Sequence, residues 1–271
     1  MPAGRTELFA ALLITAVLGM PQAVRAGPWE DIAPALFGDR PIAEGRDVLR
    51  FTAPYRAEDQ RAVPIAVETA FADGRKVRSV TLVIDENPAP VVAVFRFADD
   101  RDRASLSANV RLDRASPVRV IVEASDGRLY MAEKFVKASG LGVCAAPPVA
   151  DQALAASSMG EMRLADLTGA DAGAAASRFR RRVGLDIRHP QNTGLQMNQI
   201  TMLYIPLRFI STVEVRQGDA KIFEMEGGMS LSENPHIEFD YRVNGAATIS
   251  VEATDTDKAS WRREFPVGSS S

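Results

Sequence analysis

The stretch that decides the fold is VRVIVEASDGRLYMAEKFV, residues 118–136. Two runs rich in β-branched and aromatic residues flank Asp126-Gly127. An Asp-Gly pair between such runs is a strong hairpin signal, because the tight hairpin turn needs positive φ values that these residues adopt readily. We therefore predict a β-hairpin made of strands at 118–123 and 129–136.

The same pattern recurs along most of the chain. Short runs with strand character alternate with turns rich in Gly, Pro, Asn and Asp, which is typical of a β-sandwich. A single short helix is predicted at Trp29–Phe37, ended by Gly38. The predicted strands before the hairpin are 48–52, 63–69, 77–84, 91–97 and 105–112, and those of the second half are 184–188, 209–216, 220–225, 237–243, 247–253 and 261–267.

The two halves share sequence features in the same order. Each contains an Asn-Pro turn, at Asn87-Pro88 and at Asn234-Pro235, and each ends on a hairpin whose last strand carries an aromatic residue, Phe135 or Phe265. We therefore predict an all-β chain of two β-sandwiches with related topology.

Residues 145–175 differ in composition from both halves. Ala, Ser, Gly and Pro dominate, and β-branched residues are scarce. A long segment of this kind is uncommon inside one compact domain, so we interpret it as a linker. Within it the sequence favours a short helix around Glu161–Leu167. The predicted organisation is a first sandwich at 27–144, a flexible linker at 145–175 and a second sandwich at 176–271.

The N-terminal residues 1–26 are typical of a secretory signal peptide. Arg5 precedes an apolar run from Leu8 to Leu18, and small residues lead to Ala26. The run has 11 residues, fewer than the roughly 20 that a membrane-spanning helix needs. We therefore expect an exported, periplasmic protein that has no membrane span.

The charge balance argues against a nucleic-acid partner. The whole chain has a formal net charge of −3. Residues 1–26 contain two arginines and one glutamate, so their removal would change this to −4. Nucleic-acid binding proteins usually present a basic face.

The only cysteine, Cys144, lies in KASGLGVCAAPP, residues 137–148, directly after the hairpin. Gly140 and Gly142 give the backbone a freedom that other residues lack, and small residues surround the thiol. We interpret this segment as an arm. An exported chain with a single cysteine has no internal disulfide partner, so its thiol is available for a reaction with another molecule. A carrier thiol, an enzyme nucleophile and an incidental thiol are the three alternatives.

Motifs for other chemistry are missing from the sequence. It contains two histidines and one cysteine without the spacing of a zinc site, and it has no nucleophile elbow, phosphate-binding loop or dinucleotide fingerprint. Asp255-Thr256-Asp257 could bind a hard metal ion, but a solvated hairpin turn is the simpler interpretation. We identify no catalytic residue, metal ligand or cofactor site, and we expect no cofactor beyond a covalent adduct on Cys144.

The motifs in their order resemble the SoxYZ sulfur-carrier family. The chain resembles a fusion of SoxY and SoxZ, and it looks most like the fused carriers associated with quinoprotein dehydrogenases. The SoxY resemblance rests on APYRAED (53–59), VPI (63–65), DENPAP (85–90) and the stretch from Val122 to Lys137. The SoxZ resemblance rests on HPQNTG (189–194), IPLRFI (205–210) and SENP (232–235).

The resemblance implies two immunoglobulin-like sandwiches packed together. It also implies that Cys144, with Gly140 and Gly142 as arm residues, carries sulfur intermediates covalently while periplasmic redox enzymes act on them. A quinoprotein dehydrogenase or a c-type cytochrome is the expected partner. His189 is expected to make an inter-domain contact. The arm differs from the Gly-Gly-Cys-Gly-Gly tail of SoxY, since Val143 precedes the cysteine and Ala145 follows it.

The sequence therefore predicts a non-enzymatic periplasmic carrier related to the proteins of thiosulfate oxidation. The alternative is a structural adaptor for a quinoprotein dehydrogenase, in which Cys144 is incidental.

Overall fold

The computed structural model describes residues 28–98, 101–138, 157–168 and 179–267. Cys144, Gly140, Gly142, the predicted signal peptide and the tail after Val267 lie outside these residues. One helix and fifteen strands form the described part. They are α1 (Pro28–Phe37), β1 (Ile42–Glu44), β2 (Leu49–Thr52), β3 (Val63–Ala70), β4 (Val77–Ile84), β5 (Val91–Phe97), β6 (Arg103–Val110), β7 (Ser116–Ala124), β8 (Leu129–Val136), β9 (Met162–Asp166), β10 (Arg180–Ile187), β11 (Ile210–Gln217), β12 (Ala220–Gly227), β13 (His236–Arg242), β14 (Thr248–Asp255) and β15 (Ser260–Pro266).

The strands form two sheets, and each sheet contains strands of both halves. The larger sheet has the order β1-β8-β7-β4-β5-β12-β11-β14-β15, and the smaller has the order β2-β3-β6-β13-β10-β9. The halves join where β5 pairs with β12 and β6 pairs with β13, both antiparallel. Edge strands expose unpaired backbone groups, so these two pairings satisfy an edge of each half.

Apart from the short strand β1, which pairs in parallel with β8 at the sheet edge, each half is a seven-stranded sandwich. Lettered A to G, the strands of either half form sheets A-B-E and G-F-C-D. The constant-type immunoglobulin sandwich has A-B-E-D and C-F-G, so the arrangement differs only in the sheet that strand D joins. This confirms the predicted all-β fold of two immunoglobulin-like sandwiches. The predicted hairpin around Asp126-Gly127 is formed by β7 and β8.

The two Asn-Pro turns do not occupy equivalent positions in the two halves, whereas the two final hairpins do. Asn87-Pro88 lies between β4 and β5, whereas Asn234-Pro235 lies between β12 and β13. In the second half the counterpart of the first turn is Gly218-Asp219, between β11 and β12. The final hairpins, β7–β8 and β14–β15, do occupy equivalent positions.

Two predictions for the region from 145 to 175 need correction. Residues Met162–Asp166 form strand β9, not a helix, and pair with β10 at the edge of the smaller sheet. Part of the predicted linker therefore belongs to the second sandwich. The run MRLAD buries Met162 and Leu164, which alternate in the manner of a strand. This alternation spans too few residues to stand out beside the helix-compatible composition around it.

The helix α1 is in the predicted place and covers the outer face of the larger sheet. There Val83, Ile121 and Leu129 form a small buried cluster, against which Trp29 and Phe37 pack. Because these strands are apolar on both faces, the sheet of the first half needs a cover on its outer side as well.

Aromatic side chains fill the core at the junction of the halves. The ring of Phe223 lies 5.7 Å from Phe95, 6.5 Å from Phe97 and 5.0 Å from Phe239, centroid to centroid, in edge-on contacts. Phe95 and Phe97 belong to the first half, and Phe223 and Phe239 to the second. The large buried cluster is continuous through both halves. The two sandwiches therefore share one core.

We expect Phe223→Ala to lower the free energy of unfolding by about 3–5 kcal/mol, because it opens a cavity in the shared core. We also expect both halves to unfold in one transition, for wild type and variant alike. Urea denaturation followed by circular dichroism, together with calorimetry, tests this. Phe179→Ala, at an exposed position, is the control and should change stability by less than about 1 kcal/mol. Two separate transitions would contradict a shared core.

Candidate functional site

The described chain stops at the root of the predicted arm, Lys137 and Ala138. The Lys137 backbone N–H donates to Tyr55 O, and its carbonyl accepts from Ala57 N, both at 2.8 Å. The Lys137 Nζ lies 4.8 Å from the centroid of the Tyr55 ring. Ala138 packs against the core. The arm is therefore held by the β2–β3 connection up to a point six residues before Cys144.

The described chain resumes at Ser157, close to the end of β10. Gly160 N donates to Arg188 O at 2.8 Å. Gly160 has a φ of +83°, and a Cβ there would lie 2.0 Å from the Trp261 ring. Glycine is therefore required both by the left-handed backbone and by the close approach to Trp261.

The register of the shared sheets places both points at the same end of the molecule. Val136 at the end of β8 pairs with Ser116, and the start of β9 pairs with Ile187. Between them, Gly227 pairs with Ala93 and Ile237 with Ala108, so the strand ends remain aligned across the junction. We call this end the arm end. The connections gathered there are 53–62, 85–90, 111–115, 188–209, 228–235 and 256–259.

Apart from the stretch Val122 to Lys137, which contains the β7–β8 hairpin, the motifs that carry the family resemblance lie at the arm end and make structural contacts there. Buried Asn87 donates from Nδ2 to Arg111 O at 2.7 Å and to Ser230 Oγ at 2.9 Å, which joins the halves. Ser232 Oγ donates to Arg61 O at 2.9 Å, again across the junction. Asn234 Oδ1 accepts from His189 N at 3.1 Å. These side chains hold connections in place.

Arg111 is the buried charge at this junction. Only 3% of the residue is exposed. Its guanidinium, from the first half, donates to Gln191 O at 2.6 Å and to Pro190 O at 3.4 Å in the second half. Burial lowers the pKa of Arg111 to about 10. It therefore remains charged at neutral pH and satisfies two backbone carbonyls of the β10–β11 connection.

Asp255 binds one end of the same connection and contacts the other. Its fully buried carboxylate lies 2.7 Å from Arg208 Nε and 3.5 Å from His189 Nε2. The N–H of Ala259 donates to its other oxygen at 2.9 Å. Burial opposes ionisation, but the bonds from Arg208 and Ala259 outweigh it and lower the pKa of Asp255. The carboxylate is thus an ionised clamp on a 22-residue connection, 188–209.

Asp255-Thr256-Asp257 do lie at the predicted hairpin turn, between β14 and β15, but Asp255 is buried there and not solvated. Arg208 Nε lies within ion-pair distance of both carboxylates, at 2.7 Å from Asp255 and 3.1 Å from Asp257. A protein cation therefore occupies the position between them. Within the described ranges, no three His, Cys, Asp or Glu side chains come together as a metal site.

His189 is buried, but its side chain does not make the predicted inter-domain contact. Its Nδ1 accepts from Gln191 N at 3.1 Å, and its ring stacks edge-on with Trp261 at 6.0 Å. Both partners, like Asp255, belong to the second half. The contact across the junction is made by the neighbouring carbonyls of Pro190 and Gln191. Burial lowers the pKa of His189 despite the nearby Asp255 carboxylate, so the ring is neutral at pH 7.

Residues 33–144 match the model of the sulfur oxidation protein SoxY, and residues 173–266 match that of the sulphur oxidation protein SoxZ. The search of curated proteins found no significant match.

Solved structures with partial similarity include two kinds of protein. The sulfur carrier protein SoxY from Chlorobium limicola f thiosulfatophilum is 28% identical, with a TM-score of 0.36 over 41% of this chain and 91% of that one. A superoxide reductase (neelaredoxin) from Ignicoccus hospitalis is 13% identical, with a TM-score of 0.28 over 34% of this chain and 80% of that one.

The fold and the arm end define a double β-sandwich protein of two fused, related halves. The two sequence matches assign the halves: the chain joins a SoxY-family domain and a SoxZ-family domain in one polypeptide. This confirms the fused SoxYZ resemblance. It also supports a sulfur-carrier role and is consistent with a protein that is not an enzyme.

We expect Arg111→Met to lower the free energy of unfolding by about 2–4 kcal/mol, because two buried carbonyls lose their donor. The β10–β11 connection should also open more often, so chymotrypsin should cleave at Leu203 or Tyr204 faster than in wild type. Limited proteolysis followed by mass spectrometry measures this. Arg101→Met is the matched control, since Arg101 donates to Asp240 O across the junction at the opposite end. Equal cleavage of both variants would contradict the assigned role of Arg111.

The two histidines should change the pH dependence of stability in opposite senses. The folded-state pKa of His189 is lowered by burial, so its contribution is present above about pH 6.5 and is lost as the pH falls. For His236, burial is outweighed by hydrogen bonds to Asp186 and Glu238, which raise the pKa. Its contribution is therefore present below about pH 6.5 and is lost as the pH rises through the folded-state pKa.

Urea unfolding of wild type, His189→Gln and His236→Gln between pH 5 and 8 measures both effects. Between pH 7 and 5, the stability of His189→Gln should fall less than that of wild type, and that of His236→Gln should fall more. Parallel curves for the three proteins would contradict both assignments.

Proposed function

We propose that the protein is a periplasmic carrier that holds a sulfur intermediate covalently on Cys144 and presents it to redox enzymes. The SoxY and SoxZ domains support the carrier role. The observation that carries the finer assignment is that the SoxY match ends at residue 144, which is the only cysteine of the chain. Gly140 and Gly142 are the proposed arm residues.

The chemistry needs only the thiol of this chain. A thiolate can form a persulfide or a mixed disulfide, and an exported chain with one cysteine has no internal thiol to displace the adduct. The enzymes that load and unload the adduct supply the catalysis. The protein itself then needs no cofactor.

The position of the arm limits how an enzyme reaches the thiol. Cys144 is six residues after Ala138 in the sequence, and each step along an extended chain spans at most about 3.5 Å, so the cysteine can lie at most about 20 Å from the root. The chain also continues from Cys144 to Ser157 and β9. An enzyme that acts on the thiol must therefore approach the arm end.

Periplasmic location and partner identity are part of the proposal. Residues 1–26 have the features of a signal peptide. No helix in the described part of the chain is long and apolar enough to cross a membrane. By the family resemblance, a quinoprotein dehydrogenase or a c-type cytochrome is the proposed partner.

Intact mass spectrometry of the protein purified from its native periplasm tests the carrier role. We expect an added mass of sulfur-containing groups that dithiothreitol removes, and we expect Cys144→Ser to carry none. The matched strain experiment replaces the chromosomal copy by Cys144→Ser and should abolish the sulfur oxidation that depends on the protein. An unmodified thiol, together with full activity of the Cys144→Ser strain, would show that Cys144 is incidental and would favour the adaptor alternative.

A further inference from the structure

The β10–β11 connection carries a long exposed run without charge. From Gln191 to Leu207, 17 residues contain no Asp, Glu, Lys, Arg or His, although one residue in four of the whole chain is charged. Within this run the apolar loop, which we define as residues 195–207, exposes six large side chains. They are Leu195, Ile200, Met202, Leu203, Tyr204 and Leu207.

The exposure at the tip is high. Ile200, Met202, Leu203 and Tyr204 are 65–71% exposed. Single exposed apolar residues are ordinary, but a contiguous group on a charged protein marks an interaction site. Methionine and tyrosine are enriched at the centres of protein interfaces, and charged residues are depleted there.

The apolar loop has a defined shape. Asn198 N donates to Leu203 O and Met202 N donates to Asn198 O, both at 2.9 Å, and Ile205 N donates to Gln196 O at 2.8 Å. Met202 adopts a φ of +57°, which is uncommon for a residue with a side chain. A preformed loop loses little conformational entropy when it binds.

The base of the apolar loop is fixed to both halves of the molecule. Asp255 binds Arg208 at one end of the connection and lies 3.5 Å from His189 Nε2 at the other end. Arg111 of the first half binds the carbonyls of Pro190 and Gln191. The equivalent connection in the first half, between β3 and β4, has only residues 71–76. The long connection is therefore an addition to one half, and it lies at the arm end.

We infer that the apolar loop is the docking surface for the enzyme that acts on Cys144, and that this enzyme presents an uncharged apolar cleft beside its active-site entrance. The inference rests on the proposed carrier function. The length of chain that bears the thiol supports this occupant: residues 139–156 leave at Ala138 and return at Ser157, both at the end that displays the loop. An enzyme that receives the thiol therefore faces the loop as well.

The absence of charge favours a protein partner over a membrane. Helices and segments that bind membrane surfaces generally combine apolar residues with Lys and Arg, which attract anionic lipid. The run from Gln191 to Leu207 contains neither.

The test follows removal of a defined adduct. The Cys144 thiolate attacks an inner sulfur of tetrathionate, which forms a new S–S bond to a thiosulfonate group and releases thiosulfate. The loaded full-length protein is then incubated with a periplasmic extract of the organism that encodes it, at a carrier concentration well below that which saturates the enzyme. Intact mass spectrometry gives the rate of adduct loss relative to buffer. The carriers compared are wild type, Met202→Ser/Leu203→Ser, and Phe179→Ser.

We expect the double variant to lose its adduct at least about tenfold more slowly than wild type, the effect of removing about 1.4 kcal/mol or more of interface energy. Phe179 is 67% exposed but lies at the opposite end, so Phe179→Ser should behave as wild type. Dithiothreitol should remove the adduct equally from all three, since the thiol itself is unchanged. Circular dichroism melts confirm that the exposed substitutions leave the fold intact.

Three results would overturn the inference while leaving the carrier function standing. In the first, the double variant loses its adduct in the extract at the wild-type rate. In the second, wild type binds vesicles of phosphatidylcholine and phosphatidylglycerol through the loop and the double variant does not. In the third, wild type forms a dimer that the double variant lacks, with no effect on turnover. If the extract does not accelerate loss of the wild-type adduct, the carrier function itself fails, and the docking role fails with it.

Discussion

The structure depends on two strand pairings, β5 with β12 and β6 with β13. They make each sheet continuous across the molecule and bring Phe95 and Phe223 into one core. Without them, each half would expose two edge strands and part of an aromatic core, both of which promote association with other chains. The covalent fusion keeps the partner halves at high effective concentration, so the pairing forms within one chain.

The antiparallel sense of these pairings also decides where function can reside. Two similar sandwiches that join side by side through antiparallel pairs point in opposite directions. At each end of the molecule, one end of the sandwich fold from the first half therefore lies next to the other end of the fold from the second half. The end of β8, which precedes the predicted arm of the first half, therefore lies at the same end of the molecule as the β10–β11 connection of the second. Neither half alone has both features. Arg111 and Asn87 then lock the meeting point with hydrogen bonds that cross the junction.

Local features of the fold could be predicted from the sequence, and long-range ones could not. Asp126-Gly127 specifies its hairpin because a turn depends on a few neighbouring residues. The joining of β5 to β12 leaves no such signal, since both are ordinary strands in sequence. The helix predicted around Glu161–Leu167 was wrong for a related reason: these residues form strand β9, which is held by pairing with β10 and not by its own propensity. Asp255 looked like a solvated turn residue because the Arg208 that neutralises it lies 47 residues away. The arm residues Cys144, Gly140 and Gly142 lie outside the described structure and stay predictions.

A cysteine within the chain works under a tighter constraint than one in a terminal tail. In the proposed carrier, the residues after Cys144 lead back to β9, so two segments of backbone must accompany the thiol into an enzyme's active site, which restricts it to a shallow or wide entrance. A shallow site encloses less of the arm and so gains less binding energy from it. Recognition must then come from the body of the carrier near the arm. The uncharged loop at 195–207 is anchored by Arg111 and Asp255 at the same end of the molecule, so the limit on the proposed arm also gives a reason for an apolar surface at that end.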